Sequence, residues 1–261
     1  MNDLPLTLPP GLTWALWHEL GPSSRGPEPI PHWLVTQDAV DRELGIIKSG
    51  KEAEAFLVER TTWATDDACL LVRKTYRPEH LQPRRATTDM DLGRLSSRDL
   101  RALENKSLYG KFVLSQTWPT REFRTLVTLW EAGVPVPYPV GQNGADIWME
   151  YVATPDGSPA PRLSDHRGDD LPAIAEAVRE AAVRMSAAGI VHGDFSPFNV
   201  LVPEPGTISV IDVPQAIDAT STTGMSLLQR DLDNFTAWFA RRGVALDADD
   251  WFGDCMTHAF R

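Results

Sequence analysis

A short loop in the second half of the chain carries residue types suited to phosphate chemistry. The segment HGDFSPFN covers residues 192–199 and places Asp194 five positions before Asn199, and an apolar run further on ends at Asp212. A hard cation such as Mg²⁺ prefers carboxylate and carbonyl oxygens, which Asn199 and Asp212 could supply. Asp194 could then orient or deprotonate a nucleophile. The combined spacing indicates a nucleotide-phosphate site, by analogy with the catalytic loop of kinases.

Each of these residues also has a simpler interpretation when it is taken alone. Asp194 could begin a turn and Asn199 could cap it, which is common for both residue types. His192, beside Gly193, is predicted to brace the loop rather than to take part in the chemistry. Only the combination of the Asp-Asn spacing with a strand that ends in Asp212 favours the phosphate site.

Two helices are predicted on either side of this loop. Apolar residues recur at helical spacing after Leu171, up to a stop at Gly189, and recur again before a stop at Gly243. The first stripe consists of Ile174, Val178, Ala181 and Met185, and the second consists of Leu228, Leu232, Phe235 and Phe239. The second half of the chain is therefore predicted to be helical.

The first half reads as strands with one helix. Residues 53–58 and 69–72 have strand-like patterns on either side of a turn, which predicts a β-hairpin. Asn143-Gly144 predicts a second hairpin, between residues 138–140 and 147–149. A helix is predicted to begin with Thr120 as its N-cap and to end at Gly133.

Two segments lack a regular pattern. Residues 1–40 are rich in proline but contain three tryptophans, so we expect an extension that packs on a domain. Residues from about 77 to 111 are polar and charged without a sustained period, which predicts a long flexible insertion. Its arginines, serines and threonines suggest a flap that carries an autophosphorylated hydroxyl.

The composition limits the class of protein. The 261 residues are 42% hydrophobic and 23% charged, enough to fill the core of one large domain or two small ones. The formal net charge of −11 argues against strong general binding to nucleic acid or to anionic membranes. No apolar stretch is long enough to span a membrane and the start lacks a basic signal region, so a cytoplasmic location is expected. Cys69 and Cys255 lie far apart and predict neither a disulfide nor a zinc site.

Several further motifs, in order from about residue 42 to 244, resemble the RIO family of atypical serine/threonine protein kinases. The loop at residues 192–199 is followed by IDVPQA, which is similar to the family's I-D-x-P-Q-A. The segment FSPF stands where the family more often has Leu-Ser-Glu-Tyr, so one acidic residue is missing. The other matching segments are SGKEA at 49–53, DGSPAPRL at 156–163, QRDLDNF at 229–235 and FARRG at 239–243.

The resemblance implies an α+β, two-lobed protein-kinase-like fold. The expected parts are an N-terminal extension at 1–40, a strand-rich N-lobe at 41–150 and a reduced helical C-lobe at 151–261. The simple family architecture, without a winged-helix domain, fits best. The implied cofactors are ATP and Mg²⁺ or Mn²⁺, and the implied acceptors are an unknown protein, the chain itself or water.

The resemblance also assigns roles to individual residues. It implies that Lys74 contacts the α- and β-phosphates and that Glu122 positions it by an ion pair. It makes Asp194 the catalytic residue, and Asn199 and Asp212 the metal ligands, with Asp212 also implicated as an acceptor of phosphate. The expected phosphate loop is Ser49, Gly50 and Lys51, and the expected adenine-reading hinge includes Glu150, Tyr151 and Val152.

Three other functions are alternatives to this one. An ordinary protein kinase is disfavoured because too little chain follows Asp212 for an activation segment and a peptide-docking subdomain. A small-molecule phosphotransferase of the aminoglycoside or choline kinase type stays as the alternative, although little room lies between Tyr151 and Asp194 for a substrate pocket. A third alternative is an ATP-gated binding module that acts in ribosome or other RNA-protein assembly, as ribosome-assembly members of the family imply.

Overall fold

The structure is a computed structural model that describes residues 8–63, 67–77 and 108–260, with backbone alone for 108–117. The chain divides into two compact units. The first unit comprises Met1–Phe123 and Tyr138–Tyr151, and the second comprises Arg124–Pro137 and Val152–Arg261. Within the described ranges, no helix has both the length and the apolar character needed to cross a bilayer.

The first unit is built on a six-stranded sheet in which every pairing is antiparallel. Its spatial order is β1-β2-β3-β4-β6-β5. Both predicted hairpins are confirmed, as β3–β4 and β5–β6. The strands are β1 (Leu12–Trp14), β2 (Ala39–Ser49), β3 (Ala53–Thr62), β4 (Ala68–Tyr76), β5 (Pro139–Asn143) and β6 (Asp146–Glu150).

The tryptophan-rich N-terminal segment packs on this sheet. Its strand β1 forms the edge next to β2, and Trp17 is buried. Gly26 donates its N–H to the carbonyl of Val140 at 3.1 Å. A Cβ at Gly26 would lie 2.1 Å from the carbonyl oxygen of Pro139, so only glycine allows so close an approach.

The helix predicted from Thr120 to Gly133 begins earlier than the sequence indicated. It is α1 (Leu108–Glu131), and Pro119 lies inside it, so the predicted N-cap at Thr120 is wrong. The predicted end is confirmed, because Gly133 adopts a left-handed φ of +71°. Most of the predicted insertion at 77–111 lies outside the described residues, but its last four residues belong to α1 rather than to a loop.

The second unit contains helices and two short antiparallel ladders. Helices α2 (Leu171–Ala187) and α3 (Thr222–Ala240) confirm the two predicted ones, whereas α4 (Ala248–Ala259) was not predicted. Strand β7 (Ile190–Val191) pairs with β10 (Ile217–Asp218), and β8 (Val200–Leu201) pairs with β9 (Ser209–Val210). The predicted α+β fold, with a strand-rich first part and a helical second part, is confirmed.

Candidate active site

In the first unit, Lys74 and Glu122 form a well-shielded ion pair. Lys74 lies on β4, and its Nζ is 2.7 Å from Oε1 of Glu122 on α1. The Glu122 side chain is 2% exposed, and its second oxygen accepts a hydrogen bond from the Tyr76 hydroxyl. Because Lys74 and Tyr76 are two residues apart on one strand, they share a face of the sheet. The pair fixes one ammonium group in place without leaving the buried carboxylate uncompensated.

The predicted phosphate loop is the tight turn between β2 and β3. Ser49 is the last residue of β2, and Gly50 donates its N–H to the carbonyl of Ala53 at 2.9 Å. The Ser49 hydroxyl donates to the Glu54 carboxylate at 3.0 Å. Ser49, Gly50 and Lys51 therefore lie together at one end of the two strands, with Lys51 exposed.

The predicted hinge lies where the chain passes from the first unit to the second. Glu150 accepts the backbone N–H of Tyr138 at 3.0 Å through its side chain. Burial raises the pKa of Glu150, although this hydrogen bond works in the opposite direction. The N–H of Tyr151 donates to the carbonyl of Leu70 at 3.3 Å, and the carbonyl of Val152 accepts from Ala160.

In the second unit, His192 holds the loop at residues 192–199, the candidate catalytic loop, to the residue that precedes Asp212. It is buried, its Nε2 lies 3.0 Å from the carbonyl oxygen of Ile211, and its Nδ1 lies 3.3 Å from the backbone nitrogen of Asp194. The first contact requires a proton on Nε2 and the second requires a bare Nδ1, so the ring is neutral. Burial lowers the pKa of His192 in agreement with this, although the nearby carboxylates of Asp231, Asp212 and Asp194 oppose the shift.

Asp194 and Asn199 contact each other directly. The amide nitrogen of Asn199 donates to the carbonyl oxygen of Asp194 at 2.9 Å and to its carboxylate Oδ2 at 3.0 Å. Asn199 is buried in the turn that starts at Pro197, whereas Asp194 is exposed. Because the amide nitrogen is engaged by Asp194, the side-chain oxygen of Asn199 is the atom that suits a cation.

Asp212 follows β9 and has an unusual backbone. The N–H of Ile211 donates to the carbonyl of Asn199 at 2.9 Å, which brings the start of this segment against the catalytic loop. Asp212 itself has a φ of +66°, in the left-handed region that few residues other than glycine adopt. Asp and Asn tolerate this region best, and such conformations cluster at functional sites.

Asp231 of α3 lies in the QRDLDNF segment that resembles the family, but the resemblance assigns it no role in the site. Its side chain is 2% exposed, and its Oδ2 accepts the N–H of Phe195 in the catalytic loop at 2.9 Å. The neighbouring Arg230 donates to Asp231 and also to the carbonyl of Gly193 at 2.8 Å. Burial raises the pKa of Asp231, against the effect of Arg230 and the Phe195 amide. Two adjacent residues of α3 thus hold the backbone on both sides of Asp194.

The donor set in the second unit suits a magnesium ion. Asn199 and Asp212 offer an amide oxygen and a carboxylate, both hard oxygen ligands. Among the described residues no three His, Cys, Asp or Glu side chains cluster as a cation cage would need. Mg²⁺ usually takes one or two protein ligands and completes its shell with water and phosphate oxygens, so the small set fits this ion.

Comparisons with known proteins point to one family. A family model described as the RIO domain matches residues 84–251. The RIO-type serine/threonine-protein kinase Rio1 of Haloferax volcanii is 32% identical over 219 residues, which cover 84% of this chain and 70% of that protein. Rio1 of Thermoplasma acidophilum is 34% identical over 132 residues, covering 51% of this chain and 68% of that protein. The serine/threonine-protein kinase rio2 of Schizosaccharomyces pombe is 32% identical over 154 residues, 58% of this chain but only 43% of the length of rio2.

Proposed function

The chain belongs to the RIO family of serine/threonine protein kinases, and we propose that it transfers the γ-phosphoryl group of ATP in a Mg²⁺-dependent reaction. The acceptor is either water or a serine or threonine hydroxyl, which belongs to another protein or to the chain itself. The observation that supports this proposal best is the hydrogen bonding of Asn199 to Asp194, because it is compatible with a separate task for each residue. Asn199 keeps one oxygen for a cation, while its amide orients the carboxylate of Asp194.

In the first unit, Lys74 would bind the α- and β-phosphates. Its ammonium is held by Glu122, so it can neutralise phosphate charge without moving to do so. The turn at Ser49, Gly50 and Lys51 would contribute backbone amides and one further cation. The segment Glu150–Val152 would bind adenine through its backbone.

In the second unit, Asp194 would orient the acceptor hydroxyl and take its proton as the phosphoryl group leaves ADP. Mg²⁺, when bound, supplies positive charge to the phosphate oxygens. Asn199 and Asp212 would hold it. His192 has no contact with reactants in this scheme. It links the backbone of Asp194 to that of Ile211, the residue before Asp212, and so would fix the positions of the two aspartates relative to each other.

The two aspartates make the proposal testable. Asp212→Asn should weaken Mg²⁺-dependent nucleotide binding, because a charged ligand is exchanged for a neutral one while the left-handed backbone is still tolerated. Asp194→Asn should leave binding nearly intact and reduce turnover by about 10² or more. Calorimetric titration with Mg-ATP and a phosphate-release assay measure the two effects. Equal loss of binding in both variants would contradict the assigned roles.

Asp212 could also accept the phosphoryl group, as the family resemblance suggests. One carboxylate oxygen would attack the γ-phosphorus, the bond from that phosphorus to the β-γ bridging oxygen would break, and ADP would leave. An acyl phosphate is cleaved by hydroxylamine, whereas phosphoserine is not. Label that is lost in Asp212→Ala and released by hydroxylamine supports this route, and hydroxylamine-resistant label on Ser or Thr excludes it.

The partners are proposed on family grounds alone. An ATP-gated role in a ribosomal or other RNA-protein assembly predicts stoichiometric binding with feeble phosphorylation of added proteins, whereas a kinase with a dedicated substrate predicts many turnovers on one acceptor. Quantitative pulldown with Mg-ATP or Mg-ADP, followed by phosphorylation of the captured proteins, separates these outcomes. A cytoplasmic location stays a prediction from composition.

A further inference from the structure

The hydroxyl of Ser49, in the phosphate loop, is held by two charged side chains that the proposed function leaves unexplained. Arg77 donates to the Ser49 hydroxyl oxygen at 2.8 Å, and that hydroxyl donates in turn to Oε1 of Glu54 at 3.0 Å. Arg77 also forms an ion pair with Glu54. Both charged side chains are about one-third exposed, so water and solutes can reach them. The three side chains form a closed set at the end of the loop.

Strand register explains why the three side chains meet. Ser49 is opposite Glu54 in the β2–β3 pairing, so a hydroxyl and a carboxylate face each other across the two strands. Arg77 directly follows β4, the strand of Lys74, and its N–H donates to the carbonyl of Glu52 at 2.8 Å. The guanidinium is thereby kept at the same end of the sheet as the phosphate loop.

An ion pair of this kind is easily exchanged. A partly exposed Arg–Glu pair contributes little net stability, because solvent screens it. A phosphate group offers the guanidinium more negative charge and the same two-pronged geometry as a carboxylate. Phosphate that arrives at the loop would therefore compete with Glu54 both for Arg77 and for the Ser49 hydroxyl.

We propose that Arg77 is a ligand of the nucleotide phosphates, and that Glu54 is paired with Arg77 until the triphosphate displaces the Glu54 carboxylate. The inference rests on the proposed function, since it adds a residue to the same nucleotide site. It gives Glu54 a restraining role: its carboxylate neutralises Arg77 and holds Ser49 when nucleotide is absent. Glu54 thereby lowers the affinity of the phosphate loop for Mg-ATP.

A purely structural ion pair predicts something different. If Arg77 and Glu54 only hold the strands together, removal of either partner breaks the same contact, and both variants should bind Mg-ATP equally well or equally poorly. The exchange predicts changes of opposite sign. Arg77→Ala should weaken Mg-ATP binding on the order of tenfold, the effect of one lost charge-assisted contact. Glu54→Gln should tighten it by up to about fivefold, because the competitor is gone.

A double-mutant cycle separates exchange from general electrostatics. If Glu54 acts only by repelling phosphate through space, Glu54→Gln should tighten binding equally whether or not Arg77 is present. If Glu54 acts by occupying Arg77, its removal should have no effect in the Arg77→Ala background. Arg77→Lys should show intermediate affinity for Mg-ATP, because the positive charge is kept but the paired N–H donors of the guanidinium are lost.

The measurement is the equilibrium dissociation constant for Mg-ATP, by calorimetry on the full chain, with circular dichroism to confirm folding. Arg42→Ala and Glu59→Gln are matched controls, because they break another exposed Arg–Glu pair of the same sheet, at 3.5 Å, away from the loop. Changes of opposite sign in the single variants, with a double variant that binds Mg-ATP as weakly as Arg77→Ala, support the proposal. Changes of equal sign, additive changes or no change overturn it. If the unaltered chain fails to bind Mg-ATP, the proposed function falls with it; normal binding with unaffected variants refutes this inference alone.

Discussion

Removal of the Asp231 carboxylate should release the catalytic loop and destabilise the second unit. In Asp231→Ala the N–H of Phe195 loses its acceptor at 2.9 Å inside the protein, where water does not replace it. An orphaned buried donor costs about 1–3 kcal/mol, and loss of a charged acceptor places the total near 3 kcal/mol. Arg230 adds little to this cost, because its side chain is half exposed and can be solvated.

Asp231→Asn should be much milder, by about 1 kcal/mol. The amide oxygen can still accept the Phe195 N–H, and the amide nitrogen then faces Arg230, which can turn to water. Burial raises the pKa of Asp231, so the charge is already unfavourable at this position and a neutral residue recovers part of the loss. The order of stability should therefore be native, then Asn, then Ala.

Two measurements check this order. Urea denaturation gives the free energies of unfolding, and amide hydrogen exchange of the peptide that contains Phe195 reports the loop directly. Asp233→Ala is the control, because Asp233 is exposed on the same helix, and a shift within about 0.5 kcal/mol is expected there. If Asp231→Ala behaves like Asp233→Ala in both measurements, the reasoning about the buried acceptor is refuted.

Three further outcomes are expected. Burial lowers the pKa of His192, so this residue binds a proton more readily in the unfolded chain than in the folded one. The free energy of unfolding should therefore fall as the pH drops below about 6.5, by at most about 1.4 kcal/mol per pH unit until the pKa of the folded state is passed. His192→Asn should lack this component in urea titrations between pH 7 and 5. Gly193→Ala should lower the melting temperature more than Gly189→Ala does. Both glycines have a positive φ, but of the two only Gly193 has a backbone oxygen, that of Gln215, within 2.6 Å of the added Cβ. Equal losses of melting temperature would contradict the clash. Lys74→Met should lower the free energy of unfolding by about 3 kcal/mol because buried Glu122 loses its cationic partner. It should also abolish Mg-ATP binding, because the ammonium proposed to bind the phosphates is gone. Adding Glu122→Gln should restore stability but not binding, and stability that stays low in the double variant would argue against an uncompensated charge.

The regular elements were largely predictable because their apolar spacing is strong. Both hairpins and helices α2 and α3 follow directly from such patterns. The start of α1 was missed because Pro119 normally ends or begins a helix, whereas here it lies inside one. Helix α4 is only twelve residues long, and its signals are modest: Asp247 caps it through the N–H groups of Asp249 and Asp250.

The candidate site was predictable only in part. Asp194 and Asn199 are near each other in the chain, and the strand that leads to Asp212 is apolar, so their proximity could be inferred. The anchoring role of Asp231 could not, because it depends on a contact across 36 residues of chain. The set formed by Ser49, Glu54 and Arg77 likewise depends on the register of three strands, which composition and spacing do not specify.

The left-handed backbone at Asp212 limits which amino acids can occupy that position. Two requirements restrict this position: the backbone φ of +66°, which Gly, Asn and Asp tolerate, and the proposed role as a charged oxygen ligand, which only a carboxylate fills. In a saturation library at this codon, selection for soluble, folded protein should enrich all three residues, whereas selection for turnover should retain aspartate alone. Glutamate, which carries the same charge, should be depleted in both selections, so the library would separate the demands of the backbone from those of the chemistry.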